Sequence, residues 1–305
     1  NLSTSQSSLA TSMHRLSSGL RVNSAKDDAA GLAIAERMSA QVRGMNVAVR
    51  NANDAISLSQ TAEGALGKIG DNLQRMRELA VQSRNATNST GDRANLQKEF
   101  LQLQEEIGRT IEGTKFNGKA LFAGEGTDLE FQVGASTTAQ DKITVSGATL
   151  NGGTTGAAQT VIDAYDNAAD DAARDTAVAD IMASVIDTAW ATGATGIGIA
   201  GQDSTGADAT MQDIDDAINV IDKALDIVND KRASFGAAQN RFEAVISNLQ
   251  VNIENQSAAR GRIMDADFAT ETSNLSRSQI LQQAGTAMVA QANQLPQQVL
   301  SLLGR

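Results

Sequence analysis

Apolar and small residues recur along this chain at alternating spacings of four and three. The first run is Ile34, Met38, Gln41, Met45, Ala48, Ala52, Ala55, Ser59, Ala62, Leu66, Ile69, Leu73, Met76, Ala80 and Ser83. About seven heptads without a proline predict one long helix with a coiled-coil seam. At 1.5 Å per residue, positions 30–84 span roughly 80 Å. Residues 85–91 are rich in Asn, Thr, Ser and Gly and break that helix. A second helix is predicted from about Asp92, with Leu96, Phe100, Leu103, Ile107 and Ile111 on one face. The spacing returns near the other end as Ile214, Ile218, Ile221, Leu225, Val228, Arg232, Phe235, Gln239, Phe242, Ile246, Leu249, Ile253, Gln256, Arg260 and Ile263. A helix with such a stripe cannot bury it alone, and the two stripes match in length. They are expected to pack on each other.

The middle has a different pattern. Asn117-Gly118 is a turn signal. The alternating stretches 129–133 and 142–145 predict the two short strands of a hairpin. Residues 151–156 and 193–206 are rich in Gly, Thr and Ala and flank an acidic, Ala-rich, helical stretch. Residues 151–209 are therefore expected to form a small separate insertion. The last segment, 272–305, is amphipathic through Leu281, Ala284, Met288, Leu295, Val299, Leu302 and Leu303. Its apolar face expects a partner, either the N-terminal segment or other copies of the chain. The predicted fold is mainly α: long antiparallel coiled-coil-like helices from both chain ends, with a β-hairpin and a small inserted domain.

Composition narrows the picture. Aromatic residues make up only 3% of the chain, with one Trp and one Tyr, which argues against a thick globule. The only proline is Pro296, so little interrupts a long helix. With no cysteine there are no disulfides, thiolate metal sites or thiol nucleophiles. No apolar run is long enough to span a bilayer, and no basic-then-apolar signal peptide opens the chain. The net charge of -11 is concentrated in residues 125–230, which hold 19 acidic residues against Lys142, Arg174 and Lys223. That acidic middle lacks the basic footprint of nucleic-acid binding and fits a solvated face.

Candidate chemistry is sparse. His14 is the only histidine, which excludes a zinc-binding H-E-x-x-H pair and fits a surface or interface residue. The segment 113–120 approaches a P-loop, but Ala120 stands where the Mg²⁺-binding Ser/Thr belongs and no strand precedes it, so it reads as a helix end and turn. Asp170-Asp171 and Asp215-Asp216 fit a solvated face without EF-hand spacing. Asp27 or Asp28 is expected to cap the long helix. No catalytic, cofactor or metal constellation survives this inventory, so no enzymatic activity and no cofactor are expected.

Several segments carry a resemblance. Residues 15–31 (RLSSGLRVNSAKDDAAG) and 73–83 (LQRMRELAVQS) resemble the N-terminal region of bacterial flagellin. Residues 239–242 (QNRF), 265–268 (DADF), 278–285 (SQILQQAG) and 298–305 (QVLSLLGR) resemble its C-terminal region. The similarity covers about 1–150 and 210–305. It implies an inner terminal-helix domain of 1–29 and 266–305, a long-helix domain of 30–150 and 210–265 that includes the hairpin, and an outer variable domain of 151–209. It also implies a start about fifteen residues earlier in the family, which forms part of the export signal.

The resemblance implies a structural subunit of the extracellular flagellar filament, exported without a cleaved signal peptide and polymerising through its terminal helices to build the propeller for motility. The implied partners are other flagellin subunits, the flagellar export chaperone, and the cap and hook-junction proteins. Positions matching Gln74, Arg75, Glu78, Leu79 and Glu99 form the patch bound by the vertebrate Toll-like receptor for flagellin and contribute to axial subunit contacts. Leu281, Met288, Leu295, Val299, Leu300, Leu302 and Leu303 are implied in polymerisation. The last four of these also match where the chaperone and cytosolic NAIP-type immune receptors bind. Neither nucleic-acid binding nor membrane insertion is expected. Ser/Thr clusters at 87–90, 136–138 and 154–155 fit O-linked sugars or plain turns equally. Two alternatives stay open: a hook–filament junction protein, which shares the terminal regions, and a filament subunit whose insertion is a surface-binding module, for which Tyr165 and Trp190 are the only large aromatics for sugar stacking beyond Phe.

Overall fold

Long helices form where the four–three stripe runs and capping residues punctuate it. A computed structural model describes residues 2–122, 128–145, 147, 149–150, 158–169, 171–187, 197–200 and 209–303, without the side chains of 2, 158–159, 171–172 and 293–303. The helices are α1 (Leu2–Ser18), α2 (Ala29–Ser83), α3 (Thr90–Gly113), α4 (Ala158–Asp166), α5 (Asp171–Ile186), α6 (Met211–Met264) and α7 (Phe268–Leu303). The strands are β1 (Lys115–Phe116), β2 (Lys119–Ala120), β3 (Leu129–Gln132) and β4 (Lys142–Val145). The chain divides into two compact units, 48–247 and a second made of 1–47 with 248–305.

Each long helix starts on an oxygen acceptor that satisfies its first free N–H groups. Asp28 accepts from Gly31 N at 2.8 Å and opens α2. Ser89 and Asp92 form a reciprocal capping box on α3, with Asp92 N donating to Ser89 Oγ at 3.2 Å and Ser89 N donating to Asp92 at 3.0 Å. Thr210 and Asp213 do the same on α6. Asp267 accepts from Ala269 N at 2.9 Å and opens α7. Helix α1 stops where Gly19, at φ 72°, gives its N–H to Arg15 O.

In the unit 48–247, α2 and α6 run antiparallel. Bonds join Glu63 to Gln239, Arg77 to Asp222 and Arg84 to Asp215, so the partner's number falls as the first rises. The stripe from Ala48 to Ser83 is buried, as are Ile214, Ile221, Val228, Phe235 and Phe242 opposite. The buried face of α6 is wider than the expected seam and takes in Ala217, Val220, Ala224 and Ile227. Helix α3 adds Phe100, Ile107 and Ile111 to the same core. Each fully buried Leu, Ile or Phe in this core contributes about 1.5–3 kcal/mol.

The hairpin forms as the alternation predicts, with Leu129 opposite Val145 and Gln132 opposite Lys142. It is fixed to the helices by Asn51, which donates to Gln132 O at 3.0 Å, and by Phe131, edge-on to Phe242 with centroids 5.6 Å apart. The Asn117-Gly118 turn joins β1 to β2 with both residues at positive φ, as a two-residue hairpin requires. The sequence predicts a separate insertion at 151–209, yet its described part shares the main core. Val161 of α4, Val178, Ile181, Met182 and Val185 of α5, and Ile197 and Ile199 join the cluster built by α2, α3 and α6.

In the unit 1–47 with 248–305, the expected seam departs from prediction at its start. Ile34 is 39% exposed and Gln41 is exposed, while Ala35 is buried instead; Met45 is buried as expected. The seam there carries polar residues, and Gln256 meets Gln41 at 2.9 Å rather than an apolar knob. The two linkers of this unit are stitched together. Arg21 N donates to Met264 O at 2.6 Å, Ala266 N to Gly19 O at 3.0 Å, and the Arg21 guanidinium to Ile263 O at 2.8 Å.

Replacing Phe242 with Ala is expected to cost about 3–5 kcal/mol, read by denaturant unfolding followed by circular dichroism. Hydrogen bonds from Ser24 and Asn23 hold the Asp27 carboxyl below the ordinary aspartate value of 3.8, and those from Thr270 and Ala269 do the same for Asp267. A depressed folded pKa stabilises above the unfolded value and is lost as pH falls through the folded one. Protection of the Ser24 and Thr270 amides, taken relative to the intrinsic exchange rate at each pH, is therefore expected to hold above about pH 4 and to fall as acid is added below it.

Candidate functional site

Two surfaces carry the candidate residues. The first lies on α2 and α3. Leucines and methionines of α2 face the core at positions 73, 76 and 79, which turns Gln74, Arg75 and Glu78 outward. Arg75 is central to the patch: its Nε donates to Glu99 of α3 and a terminal nitrogen donates to Glu78, both at 2.8 Å. The two carboxylates raise the Arg75 pKa, Glu99 most strongly. The guanidinium stays 49% exposed, so the pairs orient it more than they stabilise the fold. A partner thus meets a fixed arginine between two acids, with little rotamer entropy left to lose. Beside it runs a shallow open groove lined by Gln74, Arg77, Glu78, Val81 and Gln82.

Leu79 does not belong to this surface. It is 1% exposed and packs in the core, because it lies on the wider inner face of α2 that also buries Leu58. The exposed apolar residue of this region is Val81, which sequence reasoning passed over because it falls outside the four–three frame. The cross-helix pairs were missed for the same kind of reason. Arg77 bonds Asp222 through two contacts of 2.5 and 3.2 Å, and Arg84 bonds Asp215; both link positions well over a hundred residues apart. Asp215, expected on a solvated face, is held below the usual aspartate range by the Arg84 hydrogen bond.

The second surface belongs to the paired helices α1 and α7. Among the described residues, the buried side chains of this pair are Ser12, Glu271 and Ser278, with Leu9, Leu16 and Leu275 half-buried. Several large apolar residues are exposed: Met13, Phe268, Ile280, Leu281, Met288 and Val289, with Leu281 54% and Met288 68% exposed. Helix α7 thus leaves more large apolar side chain in water than an ordinary soluble helix does. Helix α7 extends to Leu303, and the side chains of Leu295, Val299, Leu300, Leu302 and Leu303 lie outside the described residues. So do Trp190, Thr154, Thr155 and Asp170. His14 is exposed beside Asn23 at 3.2 Å.

Among the described residues, no group of three or more His, Cys, Asp or Glu is placed to hold a metal ion. No helix of the described residues is long and apolar enough to cross a membrane. Segment 113–120 forms the end of α3 and the β1–β2 turn, not a phosphate loop before a helix.

Comparison with known proteins agrees in extent and order. Residues 1–127 match the bacterial flagellin N-terminal helical region, and residues 218–303 match the bacterial flagellin C-terminal helical region. The chain is 46% identical to flagellin of Xenorhabdus nematophila, over 99% of this chain and 95% of that one. It is 39% identical to flagellin A of Vibrio cholerae, over 97% of this chain and 93% of that one. The crystal structure of Bacillus cereus flagellin aligns over 66% of this chain and 88% of its own, at 27% identity and a TM-score of 0.38.

Replacing Leu79 with Ala is expected to destabilise the unit 48–247 by about 2–5 kcal/mol. Replacing Arg75 with Ala is expected to leave its unfolding midpoint in place. Thermal unfolding of the two variants side by side separates core from surface.

Proposed function

The chain belongs to the bacterial flagellin family, and from that premise we propose that it builds the extracellular flagellar filament and so serves motility. The observation that carries the mechanism is the exposure of Ile280, Leu281, Met288 and Val289 on α7. A lone subunit leaves that face in water; a polymer buries it against neighbouring copies. Assembly gains the burial of large side chains at about 25 cal/mol per Å² and orders the terminal segments as it does so. The proposed layering takes 1–29 and 266–305 as the inner domain, 30–150 and 210–265 as the next, and 151–209 as the outer one.

The exposed patch of Gln74, Arg75, Glu78 and Glu99 is proposed as an axial contact in the filament and as the surface recognised by the vertebrate Toll-like receptor for flagellin. Leu79 supports that patch from beneath. The C-terminal apolar segment, through Val299, Leu300, Leu302 and Leu303, is proposed to bind the export chaperone before secretion without a cleaved signal peptide. Contacts with the cap and hook-junction proteins would use the same terminal helices.

Deleting 281–305 is expected to leave a soluble monomer with its long-helix unit intact, which no longer extends filament seeds. Electron microscopy of seeded mixtures reads this directly. Filaments grown from the truncated chain would overturn the mechanism. For the receptor reading, Arg75→Ala is expected to reduce reporter-cell activation at least about tenfold, since a buried guanidinium contact is worth about 2 kcal/mol at an interface.

A further inference from the structure

Three buried polar side chains in the unit 48–247 are spent on the main chain of one distant segment. Gln97 and Gln104 stand one heptad apart on α3, in line with Phe100, Ile107 and Ile111. Gln104 Nε2 donates to the carbonyls of Val185 at 2.7 Å, Asp187 at 3.3 Å and Ile197 at 3.3 Å. Gln97 Oε1 accepts from the N–H groups of Ile199 at 2.8 Å and Ala200 at 3.1 Å. Ser83, the last residue of α2, donates its hydroxyl to Ile199 O at 2.7 Å.

The segment has need of such partners. Residues 197–200 belong to no helix or strand, yet Ile197, Ile199 and Ala200 are buried, so their backbone groups cannot turn to water. Val185 and Asp187 lie at the C-terminal end of α5, where carbonyls lack intrahelical donors. The Ile197 N–H covers another carbonyl of that end, Ser184 O, at 3.3 Å. The amide orientations follow from this chemistry: N–H groups face the oxygen of Gln97, and carbonyls face the nitrogen of Gln104. Among the described residues, Gln97 Nε2 and Gln104 Oε1 are left buried without a partner. Each amide therefore has one working end.

We infer that Ser83, Gln97 and Gln104 form a docking surface on α2 and α3 that reads main chain rather than side chains, and that its occupant is this chain's own strap at 197–200 together with the end of α5. Recognition of backbone makes the surface tolerant of sequence. A segment docks if it arrives extended and places small or apolar side chains where Ile197, Ile199 and Ala200 now sit. The long-helix unit can thus hold an inserted segment whose other residues vary, and this inference stands independently of filament assembly.

Hydrogen exchange of the full chain, read by mass spectrometry, tests it. Gln97→Leu and Gln104→Leu each leave several backbone groups without partners and are expected to speed exchange in peptides covering 183–187 and 197–200 at least about tenfold. Peptides from 48–76 of α2 and from β3 and β4 should not change. Glutamate separates a directional latch from simple packing. Gln97→Glu keeps an acceptor facing two N–H groups and should preserve protection at 199–200, whereas Gln104→Glu faces three carbonyls and should abolish protection at 183–187 and at 197. Ile199→Val keeps every main-chain bond and should stay protected. Unchanged exchange in the leucine variants would overturn the latch, as would acceleration spread evenly over α2 and the hairpin. Equal behaviour of the two glutamate variants, or loss of protection in Ile199→Val, would do so too.

Discussion

The burial of one apolar stripe of α2 against its counterpart on α6 is the interaction on which the unit 48–247 depends. Neither helix carries enough apolar surface to stand alone, and helices of this length gain their stability mainly from packing. Antiparallel pairing places Glu63 beside Gln239 and Arg84 beside Asp215, so the register is written in polar contacts as well as apolar ones. Once the pair exists, it offers two sides. Phe242 and Asn51 receive the hairpin. Ser83 and the glutamines of α3 receive the strap and the end of α5. Everything between residues 84 and 210 that the structure describes is held by this frame.

The terminal helices obey the opposite logic. Ser12, Glu271 and Ser278 are buried where α1 meets α7, while Ile280, Leu281, Met288 and Val289 face outward. In an isolated soluble domain such a distribution is a liability. In the proposed assembly the exposed face of α7 is kept for neighbouring copies. The stitched linkers, with Arg21 reaching Ile263 and Met264, tie the two ends to each other where the chain turns.

How much of this was legible in the sequence depended on the range of the signal. The long stripes, the break at 85–89, the Asn117-Gly118 turn and the hairpin were readable, because periodicity and turn chemistry act over a few residues. The amphipathic character of α7 was readable for the same reason, though not whether its apolar face meets α1 or lies exposed, as Leu281 and Met288 do. Leu79, which the resemblance implies in the patch, is buried because α2 buries a face wider than the four–three seam, one that also takes Leu58. The described part of 151–209, expected as a separate insertion, shares the main core through its apolar residues and through Gln97 and Gln104. Nothing local marks a glutamine that will bond main chain some eighty to a hundred residues away, except that both fall in the apolar frame of Phe100, Ile107 and Ile111.

The account rests on a division between a stripe buried within the subunit and a face kept for other copies. Hydrogen exchange measured on free subunits and on assembled filaments tests it most directly. Amides of α2 from 48 to 83 should be equally protected in both states, and amides of α1 and α7 should gain strong protection only on assembly. Terminal helices as protected in the free subunit as in the filament would contradict the account.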